Sequence, residues 1–337
     1  MAADAAPHNL LTLDDIRAAA RRVSAIARVT PLLDVSASAG RPLFLKCESL
    51  QPSGAFKIRG AYNMVAQLTD EQRRRGVVTF SSGNHGQAMA LAARELGAPA
   101  VVVMPTTAPQ IKIDGARGFG AEVIFAGTTS TERRERAEAE ARARGLTMVP
   151  PFDHEWIIAG QGTAGLEILD QQPDVAAVIV PIGGGGLAAG VSAAIKLSRP
   201  DVKVIGVEPA GAAAMKASIE AGRLVTLDRT DSVADGLLPV RPGDLTFALV
   251  RRYVDLVVTV EDEQIIDAVL WLKATAGIVV EPSGAASVAA ALAGAAPVKG
   301  PTVAIISGGN MDMEKLEEFR RTRSFRLQAE GPFENAD

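Results

Sequence analysis

Short apolar runs alternate along the chain with longer segments whose apolar residues recur at helical spacing. The apolar runs predict strands at 43–45, 77–80, 100–104, 122–125, 147–149, 176–181, 202–207 and 303–306. Such short apolar strands, each leading toward a helix, indicate parallel sheets that are covered by helices on both faces. The pattern therefore predicts an α/β fold made of doubly wound open sheets.

Local sequence patterns predict a helix near the N-terminus, a loop in one polar segment and a loose end at the C-terminus. Thr12 and Asp15 have the spacing of a capping box, so a helix is expected to begin there and to end before Pro31. The polar stretch 69–76 is expected to form a loop, and the residues after Arg323 a loose end.

The length and charge of the chain narrow the classes of protein to consider. Its 337 residues, 47% of them hydrophobic, exceed what one core usually serves, so two domains are expected. A net charge of -4 gives no basic surface for nucleic acid, and the densest cationic run, 133–144, is interleaved with acids. No apolar run has spanning length and no signal peptide is evident, which predicts a cytoplasmic protein without a membrane partner.

Cysteine and histidine are scarce. Cys47 is the single cysteine, which excludes an internal disulfide and suits a core position in a reducing compartment. His8, His85 and His154 do not pair at the spacing of metal ligands, so no zinc site is expected.

The segment 43–63 predicts a strand, a turn and then a helix, with Lys57 in the first turn of that helix. A helix N-terminus carries partial positive charge and therefore disfavours a further cation. A lysine whose pKa is lowered by burial, or one condensed with an aldehyde, is a nucleophile and a base near neutral pH. Lys57 is thus either a reactive amine or an ordinary surface cation.

Two loops between a predicted strand and a predicted helix are suited to binding anions. The amides of Gly183–Gly186 could converge on a phosphate, and 81–85 could receive a substrate carboxylate. Residues 184–189 also satisfy the dinucleotide pattern, with Glu208 near the place of a ribose-binding acid, so an NAD-dependent dehydrogenase is an alternative. The glycines of 160–165 follow a polar segment and are expected to serve close helix packing.

Residues 48–63, ESLQPSGAFKIRGAYN, resemble the cofactor-lysine segment of the fold-type II pyridoxal-phosphate enzymes, in their threonine/serine dehydratase and serine racemase branch. The resemblance covers roughly residues 12 to 320, with further matches, in order, at 81–87, 158–163, 183–187, 234–236 and 307–310. It implies two open-sheet domains like those of the tryptophan synthase β chain. A smaller domain at 69–155 would be inserted into a larger one formed by 1–68 and 156–337.

The resemblance implies pyridoxal 5'-phosphate as the cofactor and assigns residues to it and to the substrate. Lys57 would bind the cofactor covalently and, once free, remove the α-proton of the substrate. Phe56 would pack on the pyridine ring, Asn84 would bind the ring hydroxyl group and Ser307 the ring nitrogen. The cofactor contacts would be Phe56, Lys57, Asn84, Gly183, Gly184, Gly185, Gly186, Glu281 and Ser307, and the substrate contacts Ser81, Ser82, Gly83, Asn84 and His85.

The residue type at position 307 bears on the kind of reaction. A serine hydroxyl pairs with a neutral pyridine ring, whereas a carboxylate would keep the ring nitrogen protonated. Since a neutral ring withdraws electrons less strongly, a group on the β-carbon should leave soon after the α-proton is removed. Ser307 therefore favours elimination over transamination.

Some members of the family bind a divalent metal ion, and this chain matches only part of their ligand pattern. Glu208 and the carbonyl of Ala212 match the oxygen ligands of metal-activated relatives, while Ala214 stands where a second carboxylate is expected. Losing one of two charged ligands argues against a tight Mg²⁺ or Ca²⁺ site. Glu208 would then serve as a cap for the next helix.

These observations lead to one expected activity and leave three further functions open. We expect β-elimination on L-threonine, L-serine or a similar β-hydroxy amino acid, which releases a 2-oxo acid and ammonia, in a homo-oligomer such as a homodimer. A serine racemase on the same scaffold would use Ser82 as its second acid and base. An NAD-dependent dehydrogenase and a non-catalytic carrier of pyridoxal phosphate also stay open.

Overall fold

The computed structural model of the chain describes residues 11–81, 83–108 and 110–329, the segment 324–329 by its backbone alone. Ser82 lies outside the described residues, so its expected roles stay predictions. Throughout the described ranges, no helix is long and apolar enough to cross a membrane.

Helices and strands alternate along the described chain. The helices are α1 Leu13–Val23, α2 Ser36–Ala39, α3 Lys57–Val65, α4 Asp70–Arg75, α5 Asn84–Glu95, α6 Gln110–Gly118, α7 Ser130–Arg144, α8 Glu155–Gln171, α9 Gly186–Ser198, α10 Ala214–Ala221, α11 Asp244–Tyr253, α12 Asp262–Ala276, α13 Pro282–Leu292 and α14 Met313–Ala329. The strands are β1 Leu32–Asp34, β2 Leu43–Lys46, β3 Val77–Phe80, β4 Ala100–Met104, β5 Glu122–Phe125, β6 Thr147–Met148, β7 Ala177–Pro181, β8 Lys203–Pro209, β9 Leu256–Val260 and β10 Thr302–Ile305.

The strands form two separate sheets. One has six strands in the order β1-β2-β10-β7-β8-β9, and the other has four in the order β5-β4-β3-β6. Every pairing is parallel except that of β1 with β2 at the edge of the larger sheet. The predicted α/β fold with parallel open sheets is thereby confirmed.

Apolar side chains are buried on both faces of each sheet, as a parallel sheet under two helical layers requires. In β7, Val178 and Val180 belong to one core cluster, while Ile179 between them belongs to the cluster on the opposite face. In β3, Val77 and Val78 separate in the same way. The uninterrupted apolar runs in the sequence reflect this burial on two sides.

The structure corrects two of the expectations from local sequence and adds elements that the sequence did not predict. Residues 70–75 form helix α4 rather than a loop, because Thr69 and Gln72 make a capping box and the acids precede the arginines, as the helix dipole favours. Strands β1 and β9 were not predicted. Helix α14 continues through Ala329, so residues 324–329 are helical rather than loose, and the rest of that predicted tail lies outside the described residues.

Helix α8 packs against both α3 and α9 through glycine. A Cβ atom on Gly160 would lie 2.6 Å from the carbonyl oxygen of Arg59 in α3. A Cβ atom on Gly190 in α9 would lie 2.3 Å from the carbonyl oxygen of Ile158 in α8. Neither position has room for a side chain, which confirms that the glycines of 160–165 serve close helix packing.

Cys47 lies in the core of the larger sheet. The residue is fully buried in an apolar cluster, as predicted for this single cysteine. Burial raises the pKa of its thiol to about 12, so the reactive thiolate is disfavoured at neutral pH.

Candidate active site

The predicted site residues follow the carboxyl ends of parallel strands, where doubly wound sheets bind ligands. The glycine loop joins β7 to α9, and Ser307 comes directly after β10. Lys57 begins α3, which follows strand β2 of the larger sheet, and Asn84 begins α5, which follows strand β3 of the smaller sheet. The topology therefore gathers distant residues, and Asn84 contacts Asn310 although the two are 226 positions apart.

Lys57 is a desolvated amine at the start of α3. Its Nζ atom donates a hydrogen bond to the carbonyl oxygen of Pro151 at 2.7 Å and lies 5.2 Å from the centre of the Phe56 ring. Burial lowers the pKa of Lys57 from 10.5 to about 8. About half of such an amine is neutral at pH 8, and this degree of desolvation distinguishes Lys57 from an ordinary surface cation.

A chain of amide and carboxylate contacts connects α5, α13 and the loop after β10. Asn84 donates from Nδ2 to Glu281 Oε1 at 2.5 Å and accepts on Oδ1 from Asn310 Nδ2 at 2.8 Å. Asn310 also donates to the carbonyl of Ser53 at 3.0 Å, in the turn before Lys57. The structure thereby brings together Asn84 and Glu281, which the sequence assigned to one cofactor.

Glu281 is a buried carboxyl group in this chain of contacts. Burial raises the pKa of Glu281 to about 7, and the nearby charge of Asp235 raises it further against the opposing effect of Lys112. Gly308 permits the close approach of this side chain, since a Cβ atom there would lie 2.0 Å from Glu281 Oε1. The site therefore contains a carboxyl group that changes protonation near neutral pH.

Replacing Glu281 by glutamine should change how stability depends on pH. Folded Glu281 has the higher pKa, so the folded protein binds the extra proton between pH 4.5 and about 7, and wild-type stability falls as pH rises through that window. The Glu281→Gln variant should therefore match the wild type near pH 4.5 and exceed it by about 2 to 3 kcal/mol above pH 7. Urea unfolding across this range measures the difference.

The control for this experiment is Glu135→Gln, which alters an exposed carboxylate on α7. Its stability should follow the wild type at every pH. A Glu281→Gln difference that stayed constant from pH 4.5 to 8 would show that Glu281 titrates normally.

Ser307 is buried beside the N-terminal end of α3. Its carbonyl accepts from the amide of Phe56 at 3.0 Å, and its hydroxyl donates to the carbonyl of Ser283 at 3.4 Å. A β-bridge between Ala55 and Gly308 continues the same contact. Ser307 and Lys57 therefore lie on adjoining backbone segments.

The loop Gly183–Gly186 ends at the first residue of α9, so its amides lie at a helix N-terminus. Gly185 has φ of 96°, which favours glycine. The ring of Phe152 packs against the loop, because a Cβ atom on Gly184 would lie only 2.3 Å from it. Phe152 is next to Pro151, whose carbonyl receives the Lys57 amine, so one short segment contacts both predicted ends of the cofactor site.

His85 is a neutral side chain in the interior. Its Nε2 atom lies 3.1 Å from the carbonyl oxygen of Val149, which only accepts, so Nε2 carries the hydrogen and Nδ1 has a free lone pair. Among the described residues Nδ1 has no hydrogen-bond partner. Burial, with the charge of Lys57 adding to it, lowers the pKa of His85 to about 3. Its ring therefore adds no positive charge for a carboxylate.

A cation that the sequence did not predict lies beside the loop before α5. Ser81 Oγ accepts from the amide of Gly83 at 3.2 Å. Lys112 of α6 lies beside this loop, since a Cβ atom on Gly83 would be 3.5 Å from its Nζ atom. Lys112 forms a salt bridge with Asp235. Asp235 follows β8 of the larger sheet, whereas Lys112 follows β4 of the smaller sheet. Only tertiary structure brings this pair together.

Glu208 serves as a helix cap in this structure. Its two carboxylate oxygens accept from the amides of Met215 and Lys216, at 2.8 Å each, at the start of α10. Burial raises the pKa of Glu208 to about 7. Since both oxygens are engaged by the backbone, this carboxylate is poorly placed to bind a ribose or a metal ion. Within the described ranges, no group of three or more metal-ligating side chains forms.

A group of buried charges ties the first turn of α3 to its neighbours. Arg59, two residues beyond Lys57, donates to both oxygens of Glu48 at 2.7 Å, and to those of Glu167 at 2.7 and 2.8 Å. Lys46 also donates to Glu167, at 2.6 Å. Two cations thus face two carboxylates, and three of the four side chains are fully buried. These contacts hold Arg59 in the same helical turn as Lys57.

Comparisons with known proteins agree with this geometry. Residues 23–308 match the family described as pyridoxal-phosphate dependent enzyme. The L-threonine ammonia-lyase of Thermotoga maritima is 47% identical over 312 residues, which cover 91% of this chain and 78% of that protein. The serine racemase of Schizosaccharomyces pombe is 40% identical over 314 residues, or 92% of this chain and 97% of that one. The structure of maize serine racemase has a TM-score of 0.88 and 38% identity, and the match covers 94% of this chain and 99% of that one. The chain therefore belongs to the fold-type II pyridoxal-phosphate dependent enzymes.

Proposed function

We propose that this protein is a pyridoxal-phosphate dependent ammonia-lyase that converts L-threonine, L-serine or a similar β-hydroxy amino acid into a 2-oxo acid and ammonia. The observation that carries the proposal is the desolvated Lys57 amine, with a pKa of about 8, on a backbone segment adjoining Ser307. The L-threonine ammonia-lyase relative at 47% identity supports the same activity.

The residues around Lys57 fit this cofactor. The glycine loop offers amides at the start of α9, and its lack of side chains leaves the backbone accessible to a phosphate group. Asn84 has amide hydrogens for the ring hydroxyl group, and the Ser307 hydroxyl suits the ring nitrogen. When bound, the cofactor supplies an electron sink for the α-carbon of the substrate.

Lys57 would act as the base that removes the α-proton. Its amine must be neutral for this step, and burial favours the neutral form. The hydrogen bond to the Pro151 carbonyl orients the Lys57 side chain and places no charge next to Nζ. After the β-hydroxyl group leaves, release and hydrolysis of the product require no further protein group.

Serine racemase activity is a second candidate, because several of the similar proteins carry that name. Racemisation requires a proton donor on the face of the substrate opposite Lys57, and Ser82 is the residue proposed for this role. Elimination requires Lys57 to remove the α-proton and a proton for the departing hydroxyl group, which the protonated Lys57 amine or the cofactor phosphate could supply, so that the group leaves as water. The two activities therefore differ in a product that can be measured.

An assay with L-threonine and L-serine tests the proposal. Purified protein with bound cofactor should release a 2-oxo acid and ammonia in equal amounts at a steady rate, measured by coupled reduction of the 2-oxo acid. Chiral chromatography of the same samples measures D-serine. Accumulation of D-serine without 2-oxo acid would establish the racemase instead, and cofactor binding without either product would indicate a carrier.

A borohydride experiment tests the dehydrogenase alternative separately. Reduction of the yellow protein should bleach its colour and add the mass of the cofactor at Lys57. NAD binding without such labelling would contradict the proposal. The helix-capping role of Glu208 already disfavours this alternative, since that carboxylate was its expected ribose ligand.

Domain division and assembly belong to the same proposal. All four strands of the smaller sheet fall between Val77 and Met148, which supports a smaller domain at 69–155 within a larger one formed by 1–68 and 156–337. A homodimeric state, a cytoplasmic location and the absence of a tight divalent metal site stay predictions from the sequence.

A further inference from the structure

Helix α11 contacts the glycine loop through one fully buried hydroxyl group. Thr246 donates from Oγ1 to the carbonyl oxygen of Gly184 at 2.6 Å. The amide of Gly243, just before α11, donates to the same oxygen at 3.3 Å. The carbonyl of Gly184 is therefore held toward α11 by two donors, of which the hydroxyl group is the closer.

This contact fixes the direction of the next amide. In a trans peptide the C=O of Gly184 and the N–H of Gly185 point in opposite directions. With the carbonyl held toward Thr246, the amide of Gly185 must point away from α11. Glycine is required here, because a Cβ atom on Gly185 would lie 2.8 Å from that of Thr246. Thr246 thus orients one of the amides offered to an anion.

The end of α11 that carries Thr246 is itself held from a distant part of the chain. Asp153 accepts hydrogen bonds from the first three amides of the helix, those of Asp244, Leu245 and Thr246, at 2.9, 3.0 and 3.1 Å. Gly243 permits this approach, since a Cβ atom there would lie 2.3 Å from the Asp153 carboxylate. One carboxylate therefore satisfies three amides that an α-helix leaves without internal partners.

Asp153 also connects this support to the rest of the site. It follows Phe152, which packs against the glycine loop, and Pro151, whose carbonyl oxygen accepts a hydrogen bond from the Lys57 amine. The segment 151–153 thus contacts Lys57, the loop and α11 in three consecutive residues. A shift of this segment would move the lysine end and the phosphate end of the site together.

We propose that Thr246 is a positioning residue for the phosphate end of the cofactor, acting through the Gly184–Gly185 peptide, and that Asp153 holds Thr246 in place. The inference rests on the proposed function, because it requires that the loop bind the phosphate of pyridoxal phosphate. In this proposal neither side chain is assigned a contact with the cofactor. Both act by fixing the backbone that binds it.

The test compares two ligands that differ only in the phosphate group. Pyridoxal phosphate and pyridoxal are titrated into protein from which the cofactor has been removed, with the absorbance of the lysine-bound aldehyde as readout. The Thr246→Val variant keeps the shape of the side chain and loses the donor, so its dissociation constant for pyridoxal phosphate should rise about tenfold. Its affinity for pyridoxal should stay unchanged, and Thr246→Ser should restore the wild-type value for pyridoxal phosphate.

Ser287→Ala is the matched control, because Ser287 is equally buried and donates to the carbonyl of Ile305 at 2.6 Å. It should leave both affinities unchanged. If Thr246→Val bound pyridoxal phosphate as tightly as the wild type, or weakened both ligands equally, the positioning role would be overturned. If the valine variant does not fold, Asp153→Asn is measured in the same way, and an unchanged ratio of the two affinities would overturn the proposal. A wild-type protein that bound neither ligand would instead contradict the proposed function.

Discussion

The Lys57→Ala variant should release 2-oxo acid from L-threonine or L-serine at a rate roughly 10³-fold or more below the wild type. The variant lacks the amine that binds the cofactor aldehyde and the base that removes the α-proton. Both losses fall on one atom, the desolvated Nζ beside the Pro151 carbonyl. Steady-state assays at saturating cofactor measure the effect.

The same variant should keep part of its affinity for the cofactor, since the glycine loop is unchanged. Its absorbance should be that of a free aldehyde, and borohydride should add no mass to the protein. Lys203→Ala, which removes an exposed lysine paired with Asp255, is the control and should keep wild-type activity. Release of 2-oxo acid by Lys57→Ala at a near-normal rate would refute the assignment.

The largest loss of stability should follow from replacing Arg59 by methionine. This change leaves the buried Glu48 without its guanidinium partner and removes two hydrogen bonds from Glu167. Removing one partner of a buried ion pair typically costs about 3 to 5 kcal/mol, because the remaining charge stays desolvated. Urea unfolding of the cofactor-free protein should show a loss of this size.

The control for Arg59→Met is Arg134→Met, which breaks an exposed pair with Glu138 on α7. It should change stability by less than about 1 kcal/mol. A second test adds Glu48→Gln to Arg59→Met. The double variant should lose less than the sum of the two single losses, because no unpaired carboxylate is left at position 48. Losses that add would show that the two side chains act independently.

Sequence reasoning succeeded where the cause of a structure is local. The Thr12–Asp15 capping box forms as predicted, because its two partners are three residues apart. The apolar runs correspond to parallel strands in the structure, because a strand covered by helices on both faces has apolar residues at successive positions. The location of Lys57 at a helix N-terminus was visible in the sequence, whereas its reactive role was implied by the resemblance of residues 48–63.

The parts of the site that sequence reasoning missed depend on contacts between distant positions. Lys112 and Asp235 are 123 residues apart, and Asp153 binds amides 91 to 93 residues further along the chain. No local pattern distinguishes Lys112 or Asp153 from ordinary surface charges, and Asp235, although it lies in the matching segment 234–236, had no assigned partner. Glu208 was open to three interpretations, as a ribose ligand, a metal ligand or a helix cap, and the position of α10 favours the helix cap.

The glycine contacts of α8 have a consequence for the dimensions of the site. Helix α3 carries the proposed attachment lysine and α9 begins at the proposed phosphate loop, and both touch α8 backbone to backbone at Gly160 and Gly190. The separation of the two ends is therefore set by main-chain contacts, which cannot adjust by changing a side-chain rotamer. The distance between the attachment lysine and the phosphate loop should therefore stay constant when side chains around the site are replaced. Substitutions in the substrate pocket could then change specificity without changing the fit of the cofactor.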